Sequence, residues 1–438
     1  MNFKDIKLDK KTITFSLFAI IFFALLTRLL AGYTYYVKFD LLYYIRWSTG
    51  LHEGGLFNAY EYLSQGNFAL DYPPLFLFPL YIVGFFTKNP EIIASNSDYM
   101  LALKMFQILF DVAIIPLIYW AFHKKSEIMS LIACGLWAIN PAMIINSAYW
   151  GQTDSLMIML LLVTFKFMDD DRIYLGTFFY CLSCLAKFQS AYFAPVFLLY
   201  LLFTKNENSK FTLRNLEKLL TAIAVGVITV LGVFLPFMYN SSQGIFLPFK
   251  VYFGGLGKYQ RASYNAFNFY AAIGQNSEPD YNPVIGPVTL GTIGNILLVI
   301  IVTLVILLYF YAPKKSPWLL CFTIMQSVFM LTTRMHERYQ IPVLIFLIGA
   351  YFIHEDLRFL KAFFYQSVLI FINEATVFLW WTHADSKATF WYQNFDLIVI
   401  IVSIINFLYY IYTMWLSVRA MYKKEEIINA NLAENTEM

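Results

Sequence analysis

The sequence predicts an all-α polytopic membrane protein of about 12 transmembrane helices, and three observations carry that reading. Of 438 residues, 59% are hydrophobic and 13% charged, proportions outside the range of an ordinary soluble domain. Apolar runs long enough to cross a bilayer recur along the whole chain. Basic residues gather in alternate connections, as cytoplasmic loops require. The net charge of +3 includes no basic run of the kind that binds nucleic acid. Cys134, Cys181, Cys184 and Cys321 all lie in apolar segments without metal-ligand spacing, so neither an extracellular disulfide framework nor a metal site is expected.

The first apolar run, 13–33, follows Lys4, Lys7, Lys10 and Lys11 and lacks a small-residue cleavage site. It is expected to remain as a first span with a cytoplasmic amino terminus. Further spans are expected at 99–121, 128–147, 154–168, 173–186, 190–203, 216–238, 288–312, 318–333, 339–353, 362–381 and 395–416. The run from Pro73 to Thr87 opens on Pro73-Pro74 and is short for a span. Counting it as one would put Lys124-Lys125, Lys205, Lys210, Arg214 and Lys314-Lys315 outside, so it is read as a juxtamembrane helix of the first outer loop.

Two outer segments result, 34–98 and 239–287, with both termini inside. The chain divides into 1–238, which carries the first outer loop 34–98, and 239–438, which carries the outer loop 239–287 and the C-terminal helices. No internal repeat supports the inverted architecture of secondary transporters.

This threading collects the unusual polar residues on the outer side. Arg334-Met335-His336-Glu337-Arg338-Tyr339 sits between two apolar runs, where a charge at bilayer depth costs at least about 2.5 kcal/mol and points to a cavity that binds something. Arg334 and Arg338 are four apart, hence on one face if the turn continues the helix. They suit a phosphate, with His336 beside them and Glu337 orienting them; a self-neutralised salt-bridge cluster is the competing reading.

Asp40 follows the first span, where a lone aspartate would read as a solvated loop acid or a helix cap; partial desolvation and the polar residues gathered with it make it a candidate general base. Lys187 reads as a phosphate ligand or as a snorkelling lysine. Asp71, before Tyr72-Pro73-Pro74, suits acceptor binding or helix capping. In Trp150-Gly151-Gln152-Thr153-Asp154, Trp150 and Gln152 suit a sugar ring, and Asp154 can cap the following helix. Lys258 and Asn265 lie in an outer stretch rich in glycine, aromatics and amides, as a carbohydrate surface would be, although loop chemistry alone accounts for its glycines.

One base, a set of fixed cations and no metal cluster make the inventory for transferring a sugar from a lipid phosphate, because the departing phosphate tolerates charge without an acid to protonate it. Several blocks together resemble the GT-C superfamily of polyprenyl- and dolichyl-phosphate-sugar glycosyltransferases. Asp40 is placed like that superfamily's catalytic aspartate. Asp71-Tyr72-Pro73-Pro74-Leu75, Lys187-Phe188-Gln189 and His336-Glu337-Arg338 are similar to blocks of the ER glucosyltransferases that extend the lipid-linked oligosaccharide. Asn140-Pro141 and Asp154-Ser155 are similar to blocks of the GPI mannosyltransferases. Arg338 stands where the ER enzymes have lysine, and the Trp150 turn departs from their pattern, so donor sugar and acceptor do not carry over.

The resemblance implies a hexosyltransferase taking mannose or glucose from a polyprenyl-phosphate donor to a glycan, lipid or protein acceptor at the outer face, without cofactor or metal. A bacterial plasma membrane is expected, with an ER membrane as the alternative, and the resemblance makes 1–238 the catalytic transmembrane module and 239–438 a contributor to the lipid-phosphate donor site. The rival readings are a lipid-linked saccharide flippase or transporter, and a polysaccharide polymerase or ligase.

Overall fold

The computed structural model describes residues 8–34, 38–64, 69–86, 97–203, 213–255, 259–382 and 389–422. It is 79% helical, and the sheet among these residues is a single antiparallel hairpin, Pro283–Ile285 against Val288–Thr289. Helices of eight residues or more are numbered here in chain order. They are α1 (Lys10–Thr34), α2 (Lys38–Glu53), α3 (Leu77–Gly84), α4 (Ser97–Phe122), α5 (Glu127–Ala138), α6 (Asp154–Asp169), α7 (Ile173–Ala186) and α8 (Ala194–Leu202). The second part holds α9 (Leu213–Tyr239), α10 (Leu247–Gly254), α11 (Leu290–Tyr311), α12 (Pro317–Leu331), α13 (Val343–His354), α14 (Leu357–Thr382) and α15 (Phe395–Tyr422).

All twelve apolar runs read from the sequence are helical. Six helices, α1, α4, α9, α11, α14 and α15, are long and apolar enough to cross a bilayer, and α5 with the bent segment after it makes a seventh. The segments α7, Phe188–Leu202, α12 and α13 are shorter; α7 and Phe188–Leu202 still expose Tyr174, Leu175, Phe178 and Leu198. Both α12 and α13 are buried along almost their whole length, whereas α1, α9 and α11 present Phe18, Phe22, Ile228, Leu235, Val299 and Leu304 outward. An apolar outer face around a packed centre is what a lipid solvent selects. Pro73 to Thr87 yields a 3-10 turn and α3, together Pro74–Gly84. At roughly 16 Å that segment is about half the hydrocarbon thickness.

The helix ends follow local chemistry. Ser126 and Ser316 cap α5 and α12 by accepting backbone N–H groups of Met129 and Leu319, as serine at an N-cap does. Asn140 accepts from the backbone N–H of Ala142 and Met143, and Pro141 occupies the first helical position after it. The chain bends there by 46°, since proline removes an N–H and clashes with the preceding turn. Asn140 also donates to Ser367 Oγ on α14 at 2.9 Å, which satisfies the polar group inside the bundle.

Beneath this bend lies a charge pair that sequence reasoning passes over. Arg28 of α1 and Asp111 of α4 have no exposure and meet at 2.6 Å. Trp137 Nε1 and Ser147 Oγ donate to the same carboxylate, at 2.8 and 2.7 Å, and Arg28 Nη1 donates to the Ala138 carbonyl at 2.8 Å. Four segments are thereby fixed at the depth where α1 and α4 cross. Replacing one partner leaves a buried charge uncompensated, so Asp111→Ala is expected to destabilise by about 3–5 kcal/mol. Arg28→Leu with Asp111→Leu should recover most of that loss, as read from thermal unfolding midpoints in detergent.

Candidate functional site

Asp40, in the first turn of α2, faces the turn that leads into α6. Its Oδ2 accepts from Trp150 Nε1 at 2.7 Å and from Gln152 Nε2 at 2.8 Å. Both donors fall on one carboxylate oxygen, so Oδ1 keeps its lone pairs for another partner. Local backbone geometry explains why both donors reach it. Residues Ile145–Trp150 form a π-helical turn, and Gly151 ends it with φ +74°. A Cβ at Gly151 would meet Lys104 Cγ at 2.9 Å and Leu41 Cδ2 at 3.0 Å; glycine alone fits both the left-handed conformation and the space.

Asp154 opens α6, but its side chain does not cap it: Thr153 is the N-cap, and no side-chain cap bond forms there. The carboxylate instead accepts from Lys187 Nζ at 2.5 Å and from Asn146 Nδ2 at 3.2 Å. Lys187 is 4% exposed, so the snorkelling alternative fails. Its ammonium is held inward, also 5.6 Å from the Tyr339 ring centroid. Asp71 likewise does not cap the turn after it, where Pro73 is the N-cap without a side-chain bond. Its charge acts on Tyr60, Tyr72 and Tyr259.

The Arg334–Arg338 segment departs from the expected helix. The α12 helix ends at Leu331, Thr332 is extended, and Arg334 has φ +66°, so the two arginines do not share a helical face. Arg334 Nε pairs with Asp280 Oδ2 at 2.6 Å and its side chain is 38% exposed. Arg338 is nearly buried; its guanidinium pairs with Glu337, lies 4.0 Å from Asp154 Oδ2, and stacks 5.6 Å from the Trp150 ring and 5.7 Å from that of Tyr339. Trp150 therefore touches the carboxylate through its N–H and the guanidinium through its ring face, joining Asp40 and Arg338 in one site. The competing reading of a self-neutralised cluster holds in part, since Glu337 and Asp280 each neutralise one arginine.

His336 sits among the rings of Tyr259, Tyr264 and Tyr339, with centroids at 4.7, 4.7 and 4.9 Å. Burial first, then the Arg338 and Lys187 charges, push it well below the ordinary histidine range, and its Nε2 has no hydrogen-bond partner among the described residues. A neutral imidazole offers one N–H donor, not a cation. The outer segment clamps this stretch: Tyr264 N–H donates to the Met335 carbonyl at 2.8 Å and Arg334 N–H to the Arg261 carbonyl at 3.0 Å. Asn265 spends its side chain on Asn276, with Asn276 Nδ2 donating to its Oδ1 at 3.0 Å, and so braces the loop. Lys258 lies outside the described residues.

Three members escaped sequence reasoning. Glu374, fully buried on α14, accepts from Asn146 Nδ2 at 3.0 Å through Oε1, while Oε2 has no partner among the described residues. An acid inside an apolar run is itself a functional signal. Tyr72 and Tyr259, whose hydroxyls feel both Asp71 and Arg338, are hidden among the 32 tyrosines of the chain. Among the described residues, no group of three or more His, Cys, Asp or Glu is placed to hold a metal ion.

The sequence profile of the ALG6, ALG8 glycosyltransferase family matches residues 58–250. That stretch contains the Asp71-Tyr72-Pro73-Pro74-Leu75, Asp154-Ser155 and Lys187-Phe188-Gln189 blocks, and the match bears out the GT-C resemblance read from them. No curated protein matches at the sequence level. Among solved structures, ArnT from Cupriavidus metallidurans bound to undecaprenyl phosphate is similar, at 14% identity and TM-score 0.49, over 92% of this chain and 77% of that one.

The state of His336 has a measurable consequence. As pH falls below about 6.5 the unfolded chain takes up a proton that folded His336 refuses, so stability is lost on acidification. His336→Asn should flatten that loss, measured as the unfolding midpoint between about pH 8 and pH 5.

Proposed function

We propose that this chain is an integral-membrane GT-C glycosyltransferase that moves a hexose, mannose or glucose, from a polyprenyl-phosphate donor to an acceptor hydroxyl at the outer face of a bacterial plasma membrane. One observation supports this best: Asp40 and Arg338 flank the same indole, bonded to its N–H and stacked on its face. A base and a cation one ring apart suit a substrate whose nucleophile and leaving group lie on opposite sides of one sugar carbon. The family match supports glycosyl transfer.

In this reading the acceptor oxygen attacks the anomeric carbon while its proton passes to Asp40. The bond from that carbon to the phosphate oxygen breaks, and polyprenyl phosphate leaves with the electron pair. Trp150 and Gln152 orient Asp40 and leave Oδ1 to take the proton. Arg338 and Lys187 receive the phosphate charge, which competes with Glu337 and Asp154 for them. His336 supplies a neutral N–H. Arg334, committed to Asp280 and separated from the other cations by a left-handed turn, belongs to the support of the loop. Asp71, with Tyr72 and Tyr259, lines the acceptor side.

Asp40→Asn should reduce transfer at least about 10²- to 10⁴-fold with donor affinity retained, in reconstituted vesicles given a labelled polyprenyl-phosphate hexose. Unchanged turnover would remove Asp40 from the reaction. Translocation of label without a new glycosidic bond would favour a flippase. Trp150→Phe keeps the ring face for Arg338 and deletes one donor to a charged acceptor, a loss of about 1.5–3 kcal/mol. It should therefore lower kcat roughly 10- to 100-fold while leaving the donor KM nearly unchanged.

A further inference from the structure

The α6 helix begins at Asp154 in the site just described and ends at Asp169, roughly 24 Å away at 1.5 Å per residue. At that far end a recess of about 370 Å³ opens between the turn after α4 and the turn joining α6 to α7, lined by Trp120, His123, Lys124, Lys166, Asp170 and Arg172 with Phe167 behind. Its volume lies in the range of small-ligand sites. Three permanent cations and one acid line it, a balance of +2 with His123 neutral.

Only one of the cations is neutralised nearby. Lys166 pairs with Asp170 at 2.7 Å, whereas Lys124 and Arg172 are exposed and have no ion pair among the described residues. Two uncompensated cations on adjacent turns converge on a recess whose remaining wall is aromatic: the Trp120 and Phe167 rings meet edge to face at 5.6 Å. Trp120 is 38% exposed and carries an indole N–H donor. The recess is thus cationic and hydrogen-bonding on one side and apolar on the other, at the end of α4 and the start of α7, which expose Leu109, Trp120, Tyr174 and Leu175.

We propose that this recess binds the phosphate of an anionic phospholipid, with Arg172 and Lys124 on the phosphate oxygens and the acyl chains running along Trp120 and Phe167. Basic recesses between membrane helices select such headgroups, because a phosphodiester supplies the charge and its tails stay in the bilayer. The site lies at the opposite end of the bundle from Asp40 and is independent of the glycosyl-transfer reading.

The test uses the full chain purified in a neutral detergent, with unfolding midpoints and apparent lipid affinity measured as phosphatidylglycerol is added. Phosphatidylglycerol should raise the midpoint where phosphatidylcholine does not. The double variant Lys124→Ala, Arg172→Ala should weaken the apparent affinity about tenfold or more, while Lys361→Ala, an exposed cation elsewhere, should leave it unchanged. If the double variant does not fold, Arg172→Ala alone carries the comparison. Equal responses to both lipids, or an equal loss in Lys361→Ala, would overturn the proposal. A midpoint rise of the same size with inorganic phosphate at the same concentration would overturn the lipid assignment in favour of a soluble phosphate.

Discussion

A carboxylate with no exposure, Asp154, is the constraint on which the site depends. Low-dielectric surroundings do not tolerate it alone, so it gathers Lys187 from the end of α7, Asn146 from the π-helical turn and Arg338 from the segment after α12. Asn146 extends the network to Glu374 on α14. Four separate stretches of chain are thus held around one group, and the cations they bring are oriented before any ligand arrives. Preorganisation of this kind is what makes electrostatic stabilisation effective in a water-poor site.

The same pairing carries a cost. Cations already bonded to acids are less available to an incoming anion, and in the proposed reaction a phosphate would have to draw Arg338 from Glu337 and Lys187 from Asp154. An acid beside each cation keeps the empty site near neutrality, which is the condition for burying it at all. The acids stabilise the resting fold, and under the proposed reading a phosphate would take up the cations' charge on entering.

Much of this was legible in the sequence because bilayer physics is strict. Hydropathy located twelve apolar runs that hold helices and, with loop charge, identified Pro73 to Thr87 as something short of a span, but it missed the apolar helix Gly244–Gly254 within the stretch read as an outer loop. Asp40, the Trp150 turn, Lys187 and Arg338 stood out as polar residues where polarity is costly. What stayed hidden depended on backbone detail. The pairing of Arg334 and Arg338 assumed a continued helix, and the positive φ at Arg334 sent one guanidinium to Asp280. Asp71 and Asp154 looked like caps because composition permits that role, but the caps fell to Pro73 and Thr153 and the carboxylates served other partners. Glu374 carried the needed signal, an acid within an apolar run; the Arg28–Asp111 pair required knowing which helices cross.

The double use of Trp150 has a mechanical consequence. Because one rigid indole contacts the carboxylate at its edge and the guanidinium at its face, the separation between the Asp40 carboxylate and the Arg338 guanidinium is set by the width of a single side chain. Breathing of the surrounding helices then carries both groups along together, and the spacing on which the proposed displacement would depend is buffered against motions of the bundle as a whole.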